Sequence, residues 1–225
     1  MRFAITADHL NFFSKNHYIS FEGLLPVDQV DTLRAEAENA LANRLQTDPS
    51  KLPLKPSAEI YRAGYDLSRE SEAIQKITRK HALATLASEL FQTVPLRYGF
   101  DLYIISSTPP TSPIAPSTLQ ESTSLRPILG ALILPLKDLT APLPFFPLPQ
   151  KKGDGLFISP SLPIPWPELF ALPEIPLLLI AYAAEKTFFR AETTDIHASD
   201  LKKLGYAYND LLKNSLHPLL VHKHV

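Results

Sequence analysis

Proline cuts nearly every apolar stretch in the second half of this chain. Residues 125–149 read LRPILGALILPLKDLTAPLPFFPLP, and the whole sequence holds 22 Pro against 7 Gly, roughly double and half their usual shares of about 5% and 7%. Proline has no backbone N–H to donate, so it is excluded from central strands and helix interiors. Apolar runs broken in this way favour short strands and long, fixed connections. A β-rich core with attached helices is expected, not a helical bundle.

With 225 residues the chain is long enough for one sizeable domain, since domains usually run to roughly 100–200 residues. The expected layout over 1–225 is a helical part at 24–91, a β-core at about 96–190, and a closing helix and tail at 195–225. Hydrophobic residues make up 45%, charged residues 20%, and the net charge is -1. That balance excludes wholesale disorder and offers no basic field to draw the chain onto nucleic acid. The cysteine count is 0, which removes disulfides, thiolate metal sites and a cysteine nucleophile and suits a cytoplasmic setting. The apolar runs at 128–136 and 175–184 are about half the roughly 20 residues that cross a bilayer. Asp8 and His9 interrupt the N-terminus before a signal-like stretch develops, so no membrane association is expected.

Residues 17–21 (HYISF) have strand composition. From Val27 a helix is predicted with Val30, Leu33, Ala37, Ala40, Leu41 and Leu45 on one face, Pro26 at its first position and Asp28 near its positive end. Asp48 and Pro49 close it. Residues 49–69 read as loop with room for a short strand near Ile60, and 70–91 as one helix or a pair. His81, beside that apolar stripe, is read as a helix histidine meeting a nearby carbonyl or water. Residues 96–106 form a strand bent at Gly99. The Ser/Thr/Pro-rich stretch 106–124 is an insertion or a linker, and the strand at 128–136 favours an insertion within one core. An extended cover segment follows at 142–149, a Gly153-Asp154-Gly155 turn precedes a short strand at 156–159, a short helix lies around 168–172, and a buried strand occupies 177–183. A final helix is expected near 199–214 with Leu201, Leu204, Tyr208 and Leu211 in register.

Residues 12–41, FFSKNHYISFEGLLPVDQVDTLRAEAENAL, resemble the opening of the phytanoyl-CoA dioxygenase-like branch of the Fe(II)/2-oxoglutarate-dependent oxygenases. The opening consists of a short strand, a G-h-L-x-P step and an Ala/Glu/Leu/Arg-rich helix. Matches continue in the same order: 73–91 looks like the helix before the barrel, 96–104 its first strand, 128–138 a central strand, 153–157 the step before the distal histidine, and 177–182 the strand that closes the site. The resemblance implies an α+β protein with a double-stranded β-helix, a cupin-like jelly-roll core with helices packed on one sheet. It also implies Fe(II) held by two histidines and a carboxylate, with 2-oxoglutarate beside it.

The first two ligands of that triad are spaced H-x-[DE], because alternate strand residues share a face. None of the seven histidines is followed two residues on by Asp or Glu. Family order puts the pair near 119–122, where Leu-Gln-Glu-Ser stands, the distal histidine near Pro163 or Ile164, and the 2-oxoglutarate arginine near Ile175-Pro176-Leu177. We therefore expect no metal ligand, no catalytic residue and no bound cofactor of the family type, with Gln120, Glu121 and Arg126 as candidate residues of a remodelled pocket.

Three functions are compatible with this pattern. The first is an oxygenase-like domain that has left Fe(II)/2-oxoglutarate chemistry and binds a small molecule or a protein. The second is an enzyme with displaced metal ligands such as Glu121, Glu168 or His197. The third follows from a similarity, over the whole length, to a chlamydial protein proposed to be a divalent-cation-dependent repressor, although no helix-turn-helix, basic face or inner histidine motif supports nucleic-acid binding. His222 and His224, with His217 nearby, read as a solvated tail or a weak metal site. There is no G-x-S-x-G elbow and no glycine-rich phosphate loop.

Overall fold

The computed structural model describes residues 4–105, 117–172 and 175–222. Within them the elements are α1 (Ala7–Asn16), β1 (Tyr18–Phe21), α2 (Val27–Arg44), α3 (Ser57–Ala63), α4 (Glu72–Thr78), α5 (His81–Leu90), β2 (Leu96–Ile104), α6 (Leu119–Ser122), β3 (Leu125–Pro135), β4 (Gly155–Ile158), α7 (Trp166–Phe170), β5 (Leu177–Phe189), α8 (Ala198–Lys203) and β6 (Leu219–Val221). The strands form one curled antiparallel sheet in the order β1-β4-β3-β5-β2-β6. Chain order and sheet order differ, so the central strands β3 and β5 pair across a long separation: Leu132 faces Ile180 and Ile133 faces Leu179.

Local periodicity explains most of the elements. On α2, Val30, Leu33, Ala37, Ala40 and Leu41 are buried as their spacing requires, and Pro26 sits one position before the first helical residue, as its cap. The stretch from 70 to 91 is a pair of helices, α4 and α5, that part at Arg79 and Lys80. His81 is exposed with Nδ1 3.3 Å from the Leu220 carbonyl, a surface partner of the expected kind. The register of β2 against β5 shifts between Tyr98 and Phe100, which places the bend at Gly99. The Gly153-Asp154-Gly155 turn docks on the N-terminal part, where Asp154 Oδ1 accepts from Gly23 N at 2.8 Å and the Gly153 carbonyl accepts from Leu25 N at 3.0 Å.

Several expectations are corrected. Ile60 lies in helix α3, not in a strand, because residues 57–63 bury Ile60 and Tyr61 on a helical face. The final helix stops at Lys203: Gly205 turns the chain at φ +83, and residues 209–212 pair with the end of β5, Asn209 N donating to the Phe189 carbonyl at 2.7 Å and Leu212 N to that of Thr187 at 2.9 Å. Tyr208 and Leu211 are consequently exposed. The short helix near 168–172 begins at Trp166. The segment 142–149 has no regular structure but buries Phe146 and Leu148, as a cover segment should. Most of the insertion at 106–124 lies outside the described residues. Among the described residues no helix is long and apolar enough to cross a membrane.

A buried cavity and a cationic cleft

Along β2, Phe100 and Leu102 point to one face of the sheet and Asp101 between them to the other, as strand geometry demands. Phe100 and Leu102, with Leu179 of β5, Leu119 and Ser122 of α6, Trp166 of α7, and Tyr61 and Tyr65, enclose a cavity of about 10 Å³ around the ring of His197. Such a volume lies at the lower limit for a single water, which needs roughly 10–15 Å³. The lining is aromatic and aliphatic except for Ser122, the two tyrosine hydroxyls and the imidazole. Trp166 meets Tyr61 edge to face with ring centroids 5.3 Å apart, and its Nε1 donates to Ser117 Oγ at 3.1 Å.

His197 reaches this cavity because residues 190–197 are tied to residues 121–126. Arg190 N donates to the Ser124 carbonyl at 2.8 Å, Ser124 N to Asp195 Oδ2 at 2.7 Å, and Thr194 Oγ1 to the Glu121 carbonyl at 2.6 Å. Asp195 also accepts from His197 N at 2.8 Å, so its carboxylate is occupied by backbone donors. The His197 ring stacks on Tyr65 at 4.0 Å, and neither of its nitrogens has a hydrogen-bond partner among the described residues. Burial, aided by the positive charges of Arg62 and Arg44 and opposed by Asp200, pushes its pKa down to about 4, so the imidazole is neutral at pH 7.

On the other face of β2 lies a buried polar network. Tyr98 Oη donates to Asp101 Oδ1 at 2.5 Å and lies 3.1 Å from Asp66 Oδ1 and 3.0 Å from Ser68 Oγ. Burial raises both carboxyls, Asp101 to about 6, with the neighbouring Asp66 as a further cause. Arg69 Nε donates to Asp66 Oδ2 at 2.7 Å. Arg44 joins α2 to the same segment: its Nη1 donates to the carbonyls of Ala63 at 2.7 Å and Tyr65 at 2.5 Å, and its Nη2 to Glu70 at 2.7 Å. Arg44 and Arg69, with Arg62 and Lys203, line an open cleft of about 460 Å³. Tyr65 belongs to both sites, lining the cleft and the His197 cavity.

Of the residues singled out from sequence, Gln120 and Glu121 are exposed and neither lines the cavity. Residues 119–122 form a helical turn, so residues two apart no longer share a face: Leu119 points inward at 1% exposure while Glu121 closes a capping box on Thr118. Arg126 is half-buried and holds the start of β3, donating to the carbonyls of Thr123 and Leu125 and pairing with Glu192 at 3.5 Å. Glu168 is exposed on α7. His197 alone of the displaced-ligand candidates enters the cavity. His217 is buried apart from the tail, its Nδ1 2.6 Å from the Gly99 carbonyl, and burial lowers its pKa to about 3. His222 is exposed and His224 lies outside the described residues. Tyr65, Tyr61 and Arg62 were not singled out from sequence, and their spacing on a predicted loop carried no signal.

No family model and no curated protein sequence matches the chain. Solved structures do. SnoK, a non-heme alpha ketoglutarate dependent carbocyclase from nogalamycin biosynthesis, matches with a TM-score of 0.73 at 12% identity over 96% of each chain. SnoN, a non-heme alpha ketoglutarate dependent epimerase from the same biosynthesis, matches with a TM-score of 0.70 at 17% identity over 94% of this chain and 96% of that one. HygX from Streptomyces hygroscopicus, solved with nickel and 2-oxoglutarate bound, matches with a TM-score of 0.56 at 15% identity, covering 93% and 97%. CT296 from Chlamydia trachomatis is 19% identical over 82% of this chain and 99% of that one, with a TM-score of 0.49. The chain thus shares the fold of Fe/2-oxoglutarate oxygenase-like enzymes.

Iron and 2-oxoglutarate, which that fold implies, do not fit the described residues that line this cavity. The cavity offers one imidazole and no carboxylate, and Phe100, Leu102, Leu119 and Leu179 occupy its walls. Among the described residues no group of three or more His, Asp or Glu side chains is placed to hold a metal ion. A dicarboxylate would need a cation inside a space that barely accommodates one water.

Proposed function

We propose that this protein is a double-stranded β-helix protein of the Fe(II)/2-oxoglutarate oxygenase kind that does not carry out the chemistry of those enzymes and serves as a binding protein for a small molecule or a protein partner. The observation that carries this reading is the filled cavity: large apolar side chains from β2, β5 and α6 close on a single neutral histidine, leaving about 10 Å³. A metal centre of the facial-triad type needs three protein donors and open positions for cosubstrate and oxygen. Purified protein should carry substoichiometric iron and release no succinate from 2-oxoglutarate. Titration with Fe(II) and 2-oxoglutarate should leave the fluorescence of Trp166, the only tryptophan, unchanged. Stoichiometric iron together with succinate release would overturn the proposal.

One observation favours a second reading, an enzyme with displaced ligands: His197 is neutral and both its nitrogens are unpartnered among the described residues. If His197 were a ligand, metal bound by the purified protein would be lost in His197→Ala. The neighbouring Asp195 weighs against this, because its two oxygens already accept from Ser124 N and His197 N. Nucleic acid is not expected as a partner, given the net charge of -1.

A further inference from the structure

We infer that the cleft between α3 and α8 binds an organic anion, an oxyanion head of the carboxylate or phosphate type carried on an apolar body. This deepens the binding reading above by naming a ligand class and a place for it.

Four cationic side chains line the cleft: Arg44, Arg62, Arg69 and Lys203. Three have carboxylate partners, Arg44 with Glu70 at 2.7 Å, Arg69 with Asp66 at 2.7 Å and Lys203 with Asp200 at 2.8 Å. Arg62, exposed in the last turn of α3, has no hydrogen bond or ion pair among the described residues. Counting the four cations against Glu70, Asp66 and Asp200 leaves one positive charge, and it resides on the unpartnered guanidinium. A guanidinium is planar, weakly hydrated and forked, which suits two-point recognition of an oxyanion.

The remainder of the lining selects the body of the ligand. Ala63, Tyr65 and Leu204 supply an apolar wall, and the cleft of about 460 Å³ falls within the roughly 300–1,000 Å³ typical of small-molecule sites. The floor is held rigidly, because Arg44 is bound to the carbonyls of Ala63 and Tyr65 and Arg69 is locked on Asp66. A ligand would therefore meet preformed walls and one adjustable cation. An inorganic ion alone would leave the apolar wall uncovered, and a neutral apolar molecule would leave Arg62 without a counter-charge.

Calorimetric titration of the full chain with phenylacetate, phenyl phosphate, inorganic phosphate and 2-phenylethanol tests this directly. At least one of the two organic anions should bind saturably, the preferred head distinguishing carboxylate from phosphate, while inorganic phosphate and the alcohol bind roughly tenfold more weakly or not at all. Arg62→Ala should weaken the preferred anion roughly tenfold, the worth of one charge-assisted contact, with thermal stability unchanged because the side chain has no partner to lose. Lys76→Ala, on the exposed face of α4 and outside this cleft, should leave binding unchanged. The proposal is overturned if neither organic anion binds, if the alcohol or inorganic phosphate binds as tightly, or if Arg62→Ala binds like the parent. Iron content and succinate release report separately on the loss of oxygenase chemistry, so the two ideas fail independently.

Discussion

The imidazole of His197 lies 4.0 Å from the ring of Tyr65 and within 11° of parallel to it, with no hydrogen bond from the described residues to either ring nitrogen. The Tyr65 ring stacks in turn on Phe100 of β2 at 5.0 Å. A histidine thus serves as one plate of an aromatic stack, in a cavity it shares with Leu119 and Ser122. A buried imidazole without partners is tolerated only in its neutral form, since charging it there would forfeit the hydration of the cation.

His197→Phe should keep the stack and remove the titration. The histidine pKa is 6.5 in an ordinary setting and about 4 here, so between those values the unfolded chain takes up a proton that the folded chain refuses. Stability is therefore lost as pH falls from 6.5 toward 4, on the order of 3 kcal/mol over the whole span. Urea unfolding of parent and variant across this range should show a shallower loss in the variant. The difference between the two is the readout, because His217 adds a loss of the same sign and Asp101, raised to about 6, a gain as it protonates. Parallel curves would mean that His197 is not held neutral by burial.

Tyr98→Phe should destabilise the fold more at pH 7.5 than at pH 5. The hydroxyl donates to Asp101 and bridges toward Asp66, and without it two buried carboxyls face each other with one donor fewer. The cost is about 1–3 kcal/mol when Asp101 is ionised, and less below pH 6, where the proton on Asp101 removes the charge that needs a donor. Denaturant midpoints at the two pH values measure it, and equal costs would place the titration of Asp101 elsewhere.

Gly64→Ala and Gly23→Ala should separate steric closeness from backbone conformation. A Cβ at Gly64 would fall 1.9 Å from the Tyr103 carbonyl oxygen, whereas at Gly23, with φ +62, it would meet nothing within 4 Å. The first should cost about 3 kcal/mol or prevent folding, because backbone of β2 must move. The second should cost about 1–2 kcal/mol, the penalty for an L-residue in the left-handed region. Thermal unfolding of the two variants ranks them.

Arg44→Lys should behave as a loss, not as a conservative change. One ammonium cannot replace a fork that reaches the Ala63 and Tyr65 carbonyls and Glu70 at once. A loss of about 2 kcal/mol is expected from carbonyls left with one donor fewer. Hydrogen exchange of the Asp66 amide, bound to the Asp101 carbonyl at 2.7 Å, should rise with it if Arg44 anchors this segment.

Elements whose signal is local were legible in the sequence. The apolar face of α2 and the continuous apolar strands β3 and β5 follow from spacing over a few residues. The turn at Gly153 and the bend at Gly99 follow from residues that only those backbone features favour. Elements that depend on distant partners were not. Residues 57–63 show too short a pattern to distinguish a helix from a strand, and Leu201 to Leu211 carry helical spacing that pairing with the end of β5 overrides.

By itself, the sequence determined the elements with a local signal, such as α2, β3 and β5, and the absence of any H-x-[DE] pair, since both are properties of near neighbours along the chain. Tertiary structure alone decided that His197, carried on a segment hydrogen-bonded to residues 121–124, enters the cavity, while Gln120 and Glu121 turn outward on a one-turn helix. It also brought Arg44, Arg62, Arg69 and Lys203 from separate elements to one cleft around Tyr65. Such groupings are set by packing and long-range hydrogen bonds, and no spacing along the chain encodes them.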